Sequence, residues 1–278
     1  MVEIIDIGFG LEGTHVLVTG AAGFIGSKTV AAFLAAGAHV TALDINEKKL
    51  SALGDHPNLY KDIADITSEE QLEATFDRAQ TRFGVIACCV ALASLDFSVL
   101  QHHTSICDMD VEQFRRTMRV NVEGTFLTAR TWLRRIKAHA VPGVTKNVSL
   151  IIVGSESGTF GERSNPDYAA GKAAVQTGLL RSLKGDVPRI FPGGRVNAIA
   201  PGPVDTPQFR TECAEDPLQL WKDSQATTAS GEPVPPEAVA KGIVFLASDS
   251  FSGSITGHIL DVDGGKSGKV MWLPGEKN

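Results

Sequence analysis

The chain has 278 residues, 43% of them hydrophobic and 21% charged, with a formal net charge of −6 at pH 7. That length suits one α/β domain with a core large enough to need no disulfide or metal staples. The acidic balance argues against a nucleic-acid partner, because no surplus of lysine and arginine is available to neutralise phosphates, and no apolar run approaches the ~20 residues that cross a bilayer. The four cysteines, Cys88, Cys89, Cys107 and Cys213, form no CxxC pair. They read as buried thiols in a reducing compartment, with no metal site. Glu3 and Asp6 stand where a secretory signal would be basic, so the expected location is cytoplasmic.

Strands and helices alternate along the chain. His15–Thr19 (HVLVT) is a β-branched strand ending in glycines, and Phe24–Ala36 is a helix closed by Gly37. Ala38–Leu43 is a second strand, Asn46–Leu53 a short helix and Leu59–Ile63 a third strand. Ser68–Phe83 is an amphipathic helix with Ser68 as its N-cap. Val85–Ala91 is continuously apolar, as a strand buried on both faces should be. A long helix at Val111–Ala138 precedes a strand at Val148–Val153, and Pro166 opens a helix running to Leu183. Arg195–Ile199, a helix near Pro236–Ala247 and Ile259–Val262 complete the set. Such alternation implies a parallel sheet covered by helices. The stretch from Pro201 to about Pro235 is irregular and rich in Pro, Thr, Ser and Asp, and its portion 203–235 reads as a substrate lid.

The first strand runs into Thr19-Gly20-Ala21-Ala22-Gly23-Phe24-Ile25-Gly26. Glycines at Gly20, Gly23 and Gly26 permit a tight turn and let the backbone at Phe24 and Ile25 approach a pyrophosphate at a helix N-terminus. About twenty residues on, Asp44 ends the second strand, where a carboxylate accepts from ribose hydroxyls and repels a 2′-phosphate. This points to NAD as the cofactor. Tyr168 and Lys172 are four residues apart and share a helical face. A free phenol ionises near pH ~10, and an ammonium ~4 Å away favours the phenolate by ~4 kcal/mol at an effective dielectric of ~20. That is the size of shift that acid–base catalysis needs. Ser155 follows an apolar strand, thirteen residues before Tyr168, where its hydroxyl can reach a substrate oxygen; Ser157 is its competitor.

Together these features resemble the short-chain dehydrogenase/reductase family over nearly the whole chain. The resemblance implies one doubly wound Rossmann-type parallel sheet of about seven strands in a single domain (1–278). It implies adenine contacts at Asp65 and Ile66, and a cofactor contact at Ala93. Asn121, in Asn-Val-Glu-Gly, would be a fourth catalytic residue that orders a relay water to Lys172. Pro201, Val204 and Thr206 would flank the nicotinamide, and Tyr168 and Lys172 would touch it as well as act in catalysis. Two departures stand out. The loop TGAAGFIG has the spacing of extended, epimerase-like members, and Ala91-Leu92-Ala93-Ser94 replaces the family's Asn-Asn-Ala-Gly.

The expected activity is hydride transfer between a nicotinamide and a ketone or secondary alcohol by Ser155, Tyr168, Lys172 and Asn121. The alternatives are an epimerase or dehydratase, a redox-neutral isomerase or cyclase, and a non-catalytic dinucleotide sensor. Phe97, Phe160, Phe209 and Trp221 suggest an apolar or cyclic small-molecule substrate, and the family suggests a homo-oligomer (dimer or tetramer) through the two long helices. His102 and His103 read as a solvated turn, and Trp132, Trp221 and Trp272 as packing residues.

Overall fold

The computed structural model describes residues 7–273 and Gly275. Glu3 and Asp6, the basis of the N-terminal charge argument, lie outside them. The strands are β1 (His15–Thr19), β2 (His39–Asp44), β3 (Leu59–Ile63), β4 (Ile86–Ala91), β5 (Ser149–Val153), β6 (Arg195–Pro201) and β7 (Ile259–Val262). They form one parallel sheet in the order β3-β2-β1-β4-β5-β6-β7. The chain winds outward from β1 to β3, then crosses back to place β4 on the other side of β1. That reversal makes the β1/β4 junction the switch point, where the connections leave in opposite directions and open a crevice at the carboxyl ends.

The helices are α1 (Phe24–Ala35), α2 (Glu47–Ser51), α3 (Glu69–Phe83), α4 (Val111–Met118), α5 (Thr125–His139), α6 (Ser157–Phe160), α7 (Pro166–Ala173), α8 (Leu180–Ile190), α9 (Pro207–Glu215), α10 (Pro236–Ala247) and α11 (Asp249–Ser252). Alternation of side chains along a strand divides the core into two layers. Leu17 joins Phe76 of α3 and Trp132 of α5 on one face, while Val16 and Val18 join Phe33 of α1 and Ile243 of α10 on the other. Trp132 is fully buried and donates its indole N–H to the Ile86 carbonyl at 3.0 Å, tying α5 to β4. Ser68 caps α3 as expected, accepting from the Gln71 N–H.

Several expectations are corrected. The long helix is α4 and α5 joined through a π-helical turn, Arg119–Gly124. The helix from Pro166 passes through a second π-helical turn, Ala174–Leu179, and continues past Leu183 to Ile190. The stretch after Pro201 is not irregular throughout. Thr206 Oγ1 accepts from the Phe209 N–H to start α9, and Trp221–Gln225 forms a π-helical turn. Only Cys88 and Cys89 are buried; Cys107 is exposed and Cys213 half-buried. Among the described residues, no helix is long and apolar enough to cross a membrane.

Candidate active site

A cavity of about 820 Å³ opens along the carboxyl edge of the sheet. The residues that end or follow successive strands line it: Gly20 after β1, Asp44 of β2, Leu92 after β4, Gly154 after β5 and Gly202 after β6.

At one end lies the glycine turn. Gly20 has φ +66°, and a Cβ there would stand 2.7 Å from the Ala93 Cα. A Cβ on Gly26 would stand 2.1 Å from the Gly20 carbonyl oxygen, so α1 starts directly against the turn. No side chain caps α1, and its first turn holds no acidic residue. Its end therefore presents backbone donors and the positive end of the helix dipole to the cavity wall at Gly23, Phe24 and Ile25. Asp44 accepts the Ala22 N–H on Oδ2 and the Asn46 N–H on Oδ1, each at 2.9 Å. It thus braces the turn while each oxygen retains acceptor capacity. Asp65 Oδ1 accepts from the Thr67 N–H and hydroxyl, and Ile66 packs against Gly124. The replaced Asn-Asn-Ala-Gly segment has a substitute brace: the Thr19 hydroxyl accepts from the N–H groups of Leu92 and Ala93 at 3.0 and 3.1 Å. Pro201, Val204 and Thr206 line the far side, with Val204 bridged to Val234. Bare helix donors, a strand-end carboxylate and a crevice spanning the switch point fit a dinucleotide.

Ser155, Tyr168 and Lys172 meet at the other end, each at most 8% exposed. Lys172 Nζ lies 5.6 Å from the Tyr168 ring centre. It donates to the Val153 carbonyl at 2.8 Å and to the Ser94 hydroxyl at 3.3 Å. Ser155 Oγ accepts from the Ser157 N–H at 3.1 Å, so the competitor serine supports the candidate through its backbone. Burial pushes the Tyr168 phenol above its ordinary value, opposed by hydrogen bonding to Ser155. Burial also pushes the Lys172 ammonium down to about 8. The expected depression of the phenol by the ammonium is therefore overridden, because desolvation of the phenolate is the larger effect.

Asn121 sits in the first π-helical turn, 1% exposed. Its amide is engaged with Leu95, accepting the N–H at 2.7 Å and donating to the carbonyl at 3.0 Å. The geometry makes it a brace for the segment that carries Ser94 to Lys172. Gln176, absent from the sequence reading, is fully buried and accepts the Ser155 N–H at 2.8 Å. Its spacing of four from Lys172 was the available signal. Phe97 packs against Tyr168, the rings tilted by 54° with centroids 4.6 Å apart, and Phe209 lines the cavity. Phe160 and Trp221 do not line it and are 38% and 37% exposed. The histidine pair is not a solvated turn: His103 is buried with its N–H on the Ser164 carbonyl, and His102 lines the cavity. Trp272, expected to pack, is 60% exposed.

The family model described as "Enoyl-(Acyl carrier protein) reductase" matches residues 20–267. The chain is 33% identical over 260 residues to "Dehydrogenase/reductase SDR family member 6" of Danio rerio, covering 92% of this chain and 98% of that one. It is 35% identical to the "Cis-4-hydroxycyclohexanecarboxylate dehydrogenase" of Sinomonas cyclohexanicum, covering 90% and 94%. A solved structure, that of gox2181, superposes with a TM-score of 0.81 at 25% identity, covering 92% of this chain and 96% of that one. Another, a Brucella melitensis protein titled "Short-chain dehydrogenase/reductase SDR:Glucose/ribitol dehydrogenase", gives 0.78 at 25% identity over 93% and 98%. With the switch-point crevice, the bare helix N-terminus and the buried Ser155, Tyr168 and Lys172 in place, the chain belongs to the short-chain dehydrogenase/reductase family.

Proposed function

We propose that this oxidoreductase is NAD(H)-dependent and interconverts a secondary alcohol and its ketone. The observation that carries the reading is the convergence of the buried Ser155, Tyr168 and Lys172 at one end of a cavity whose other end suits a dinucleotide. A bound nicotinamide would supply or accept the hydride. Tyr168, kept protonated by burial, is the acid that holds a proton for the substrate oxygen, and Ser155 donates a hydrogen bond to the same oxygen. Lys172, anchored on Val153 and Ser94, keeps a positive charge beside the phenol at neutral pH and has donor capacity left for a ribose hydroxyl. Asn121 and Gln176 act by position, the one through Leu95 and the other through the Ser155 backbone.

Asp44 supports NAD over NADP, since Asp44 and Ile45, which line the cavity after β2, offer no cation for a 2′-phosphate. Phe97 and Phe209 support an apolar or cyclic substrate, and a relative named for a hydroxycyclohexanecarboxylate agrees with the ring. The segment 203–235, carrying α9 over the cavity, is the substrate lid. A homo-oligomer in the cytoplasm is the accompanying reading. Phe114 and Phe126, 41% and 47% exposed, rim a shallow groove between the helix pair α4–α5 and the turn before α8, a face suited to a second copy.

The test is Tyr168→Phe, which removes one oxygen and little volume. NADH binding and the unfolding midpoint should stay near the parent's, while turnover falls by ~10²-fold or more. A variant that binds NADH and turns over at the parental rate would exclude Tyr168 as the acid. Stoichiometric loss of NADH with a ketone separates this reading from the epimerase, dehydratase and sensor alternatives.

A further inference from the structure

The reaction end of the cavity carries more negative charge than its apolar walls suggest. Of the lysines that line it, Lys222 and Lys269 are paired with carboxylates and Lys172 is bonded to Val153 and Ser94. Lys269 Nζ sits between Glu156 Oε1 at 2.9 Å and Glu162 Oε2 at 3.0 Å. Lys266, its side chain fully buried, lies 3.1 Å from Glu156 Oε2, and Lys222 pairs with Asp216 at 2.7 Å. Glu212, Glu215 and Asp223 also line the cavity; among the described residues none is in an ion pair, although Asp223 feels the charges of Lys222, Lys266 and Lys269 at longer range. Among the described residues no arginine lines it. Glu156 and Glu162 are offset by Lys266 and Lys269, and Asp216 by Lys222, so the surplus negative charge along this end is that of Asp96, Glu212, Glu215 and Asp223 against Lys172.

From this arrangement we infer that the substrate is an uncharged or ammonium-bearing alcohol or ketone, and that carboxylate, phosphate and acyl-carrier substrates are rejected. The inference rests on the oxidoreductase reading above and specifies its substrate class. An anionic substrate needs a cation with free donors; Lys222, Lys266 and Lys269 are each paired with at least one carboxylate, and Lys172, held by Val153 and Ser94, has its remaining donor directed to the cofactor ribose in the reading above. Lys269 uses two of its three N–H groups on Glu156 and Glu162. The third suits a neutral hydroxyl or carbonyl oxygen, which accepts a hydrogen bond without bringing a further negative charge. Negative charge reaches the reacting group itself: after burial and the Ser155 hydrogen bond, the influences on the Tyr168 phenol are the carboxylates of Asp96, Glu156 and Glu162, all opposing its ionisation. A field of one sign in a low-dielectric cleft selects ligands by charge. This sets the chain apart from its relative named for a hydroxycyclohexanecarboxylate, whose substrate carries the charge this cavity disfavours.

Three ring alcohols of matched size test it: 4-hydroxycyclohexanecarboxylate, its carboxamide and 4-(aminomethyl)cyclohexanol, each oxidised by the full chain with NAD. The carboxamide should exceed the carboxylate in kcat/KM by ~10-fold or more, and the amine should equal or exceed the carboxamide. Raising salt from about 50 mM to about 0.5 M should shrink the gap, as should the double change Glu212→Gln and Glu215→Gln on the lid. If none of the three is oxidised, their binding to the NADH complex, followed by nicotinamide fluorescence, gives the same ordering. In that case lost turnover counts against the oxidoreductase reading, and the binding order alone decides the charge selection. A carboxylate used or bound as well as its carboxamide overturns the inference.

Discussion

The burial of Lys172 sets a pH-dependent stability that can be worked out. Its ammonium titrates near 8 in the folded protein, against about 10.4 in an unfolded chain. The folded state therefore holds this proton more weakly. Between the two values the unfolded state binds more protons, so stability rises with pH across that window. Integrating the linkage relation from pH ~7 to ~9.5 gives a gain of about 2 kcal/mol from this one residue. Below pH ~7 the charged side chain is carried at its full cost of about 3 kcal/mol relative to its neutral form. Lys172→Met fills similar space without a charge and lacks this gain. Urea unfolding of parent and variant, at one protein concentration and at pH 7 and 9.5, isolates the effect, because all other groups titrate alike in both and cancel. The parent should gain on Lys172→Met by about 2 kcal/mol over that interval. The absolute difference at pH 7 also includes the lost bonds to Val153 and Ser94, so the change with pH is the diagnostic. A difference that stays constant from pH 7 to 9.5 would refute the claim that burial depresses this ammonium.

Other outcomes follow from the dinucleotide end and the lid. Asp44→Ala should weaken NADH binding, and because it also frees the Ala22 and Asn46 N–H groups, it should bring the affinities for NADH and NADPH closer; isothermal titration with both cofactors reads this. Unchanged discrimination would sink the Asp44 assignment. Gly20→Ala places a methyl 2.7 Å from the Ala93 backbone at a positive φ. It should destabilise the chain by ~1–3 kcal/mol and abolish tight NADH binding, as thermal unfolding with and without NADH would register. Limited proteolysis should cut first within 203–235, and NADH with substrate should slow that cut; equal rates with and without ligands would count against a lid.

Much of the fold was legible in the sequence because its signals are local. The β1 run HVLVT, the glycines behind it, Ser68 before α3 and Pro166 at the start of α7 announce themselves within a turn or two of the residues they affect. The positions of Gly20, Asp44, Ser155, Tyr168 and Lys172 were readable for the same reason: each sits at a strand end or on one helical face, and in a doubly wound sheet those places converge on one edge. Contacts between distant segments were not readable. Which partner Asn121 would take depended on where the segment after β4 packed, and tertiary packing placed Leu95 against it. Tyr168 and Lys172 at spacing four indicated a lowered phenol, but burial from all sides reversed the direction, and burial belongs to the assembled core. The pairing of Glu156 with Lys266 and Lys269 joins residues more than a hundred positions apart. The sequence by itself determined the chemistry available at the strand ends. Only the tertiary structure decided the dielectric around those groups and the charge facing the substrate, because both are sums over neighbours brought together by folding.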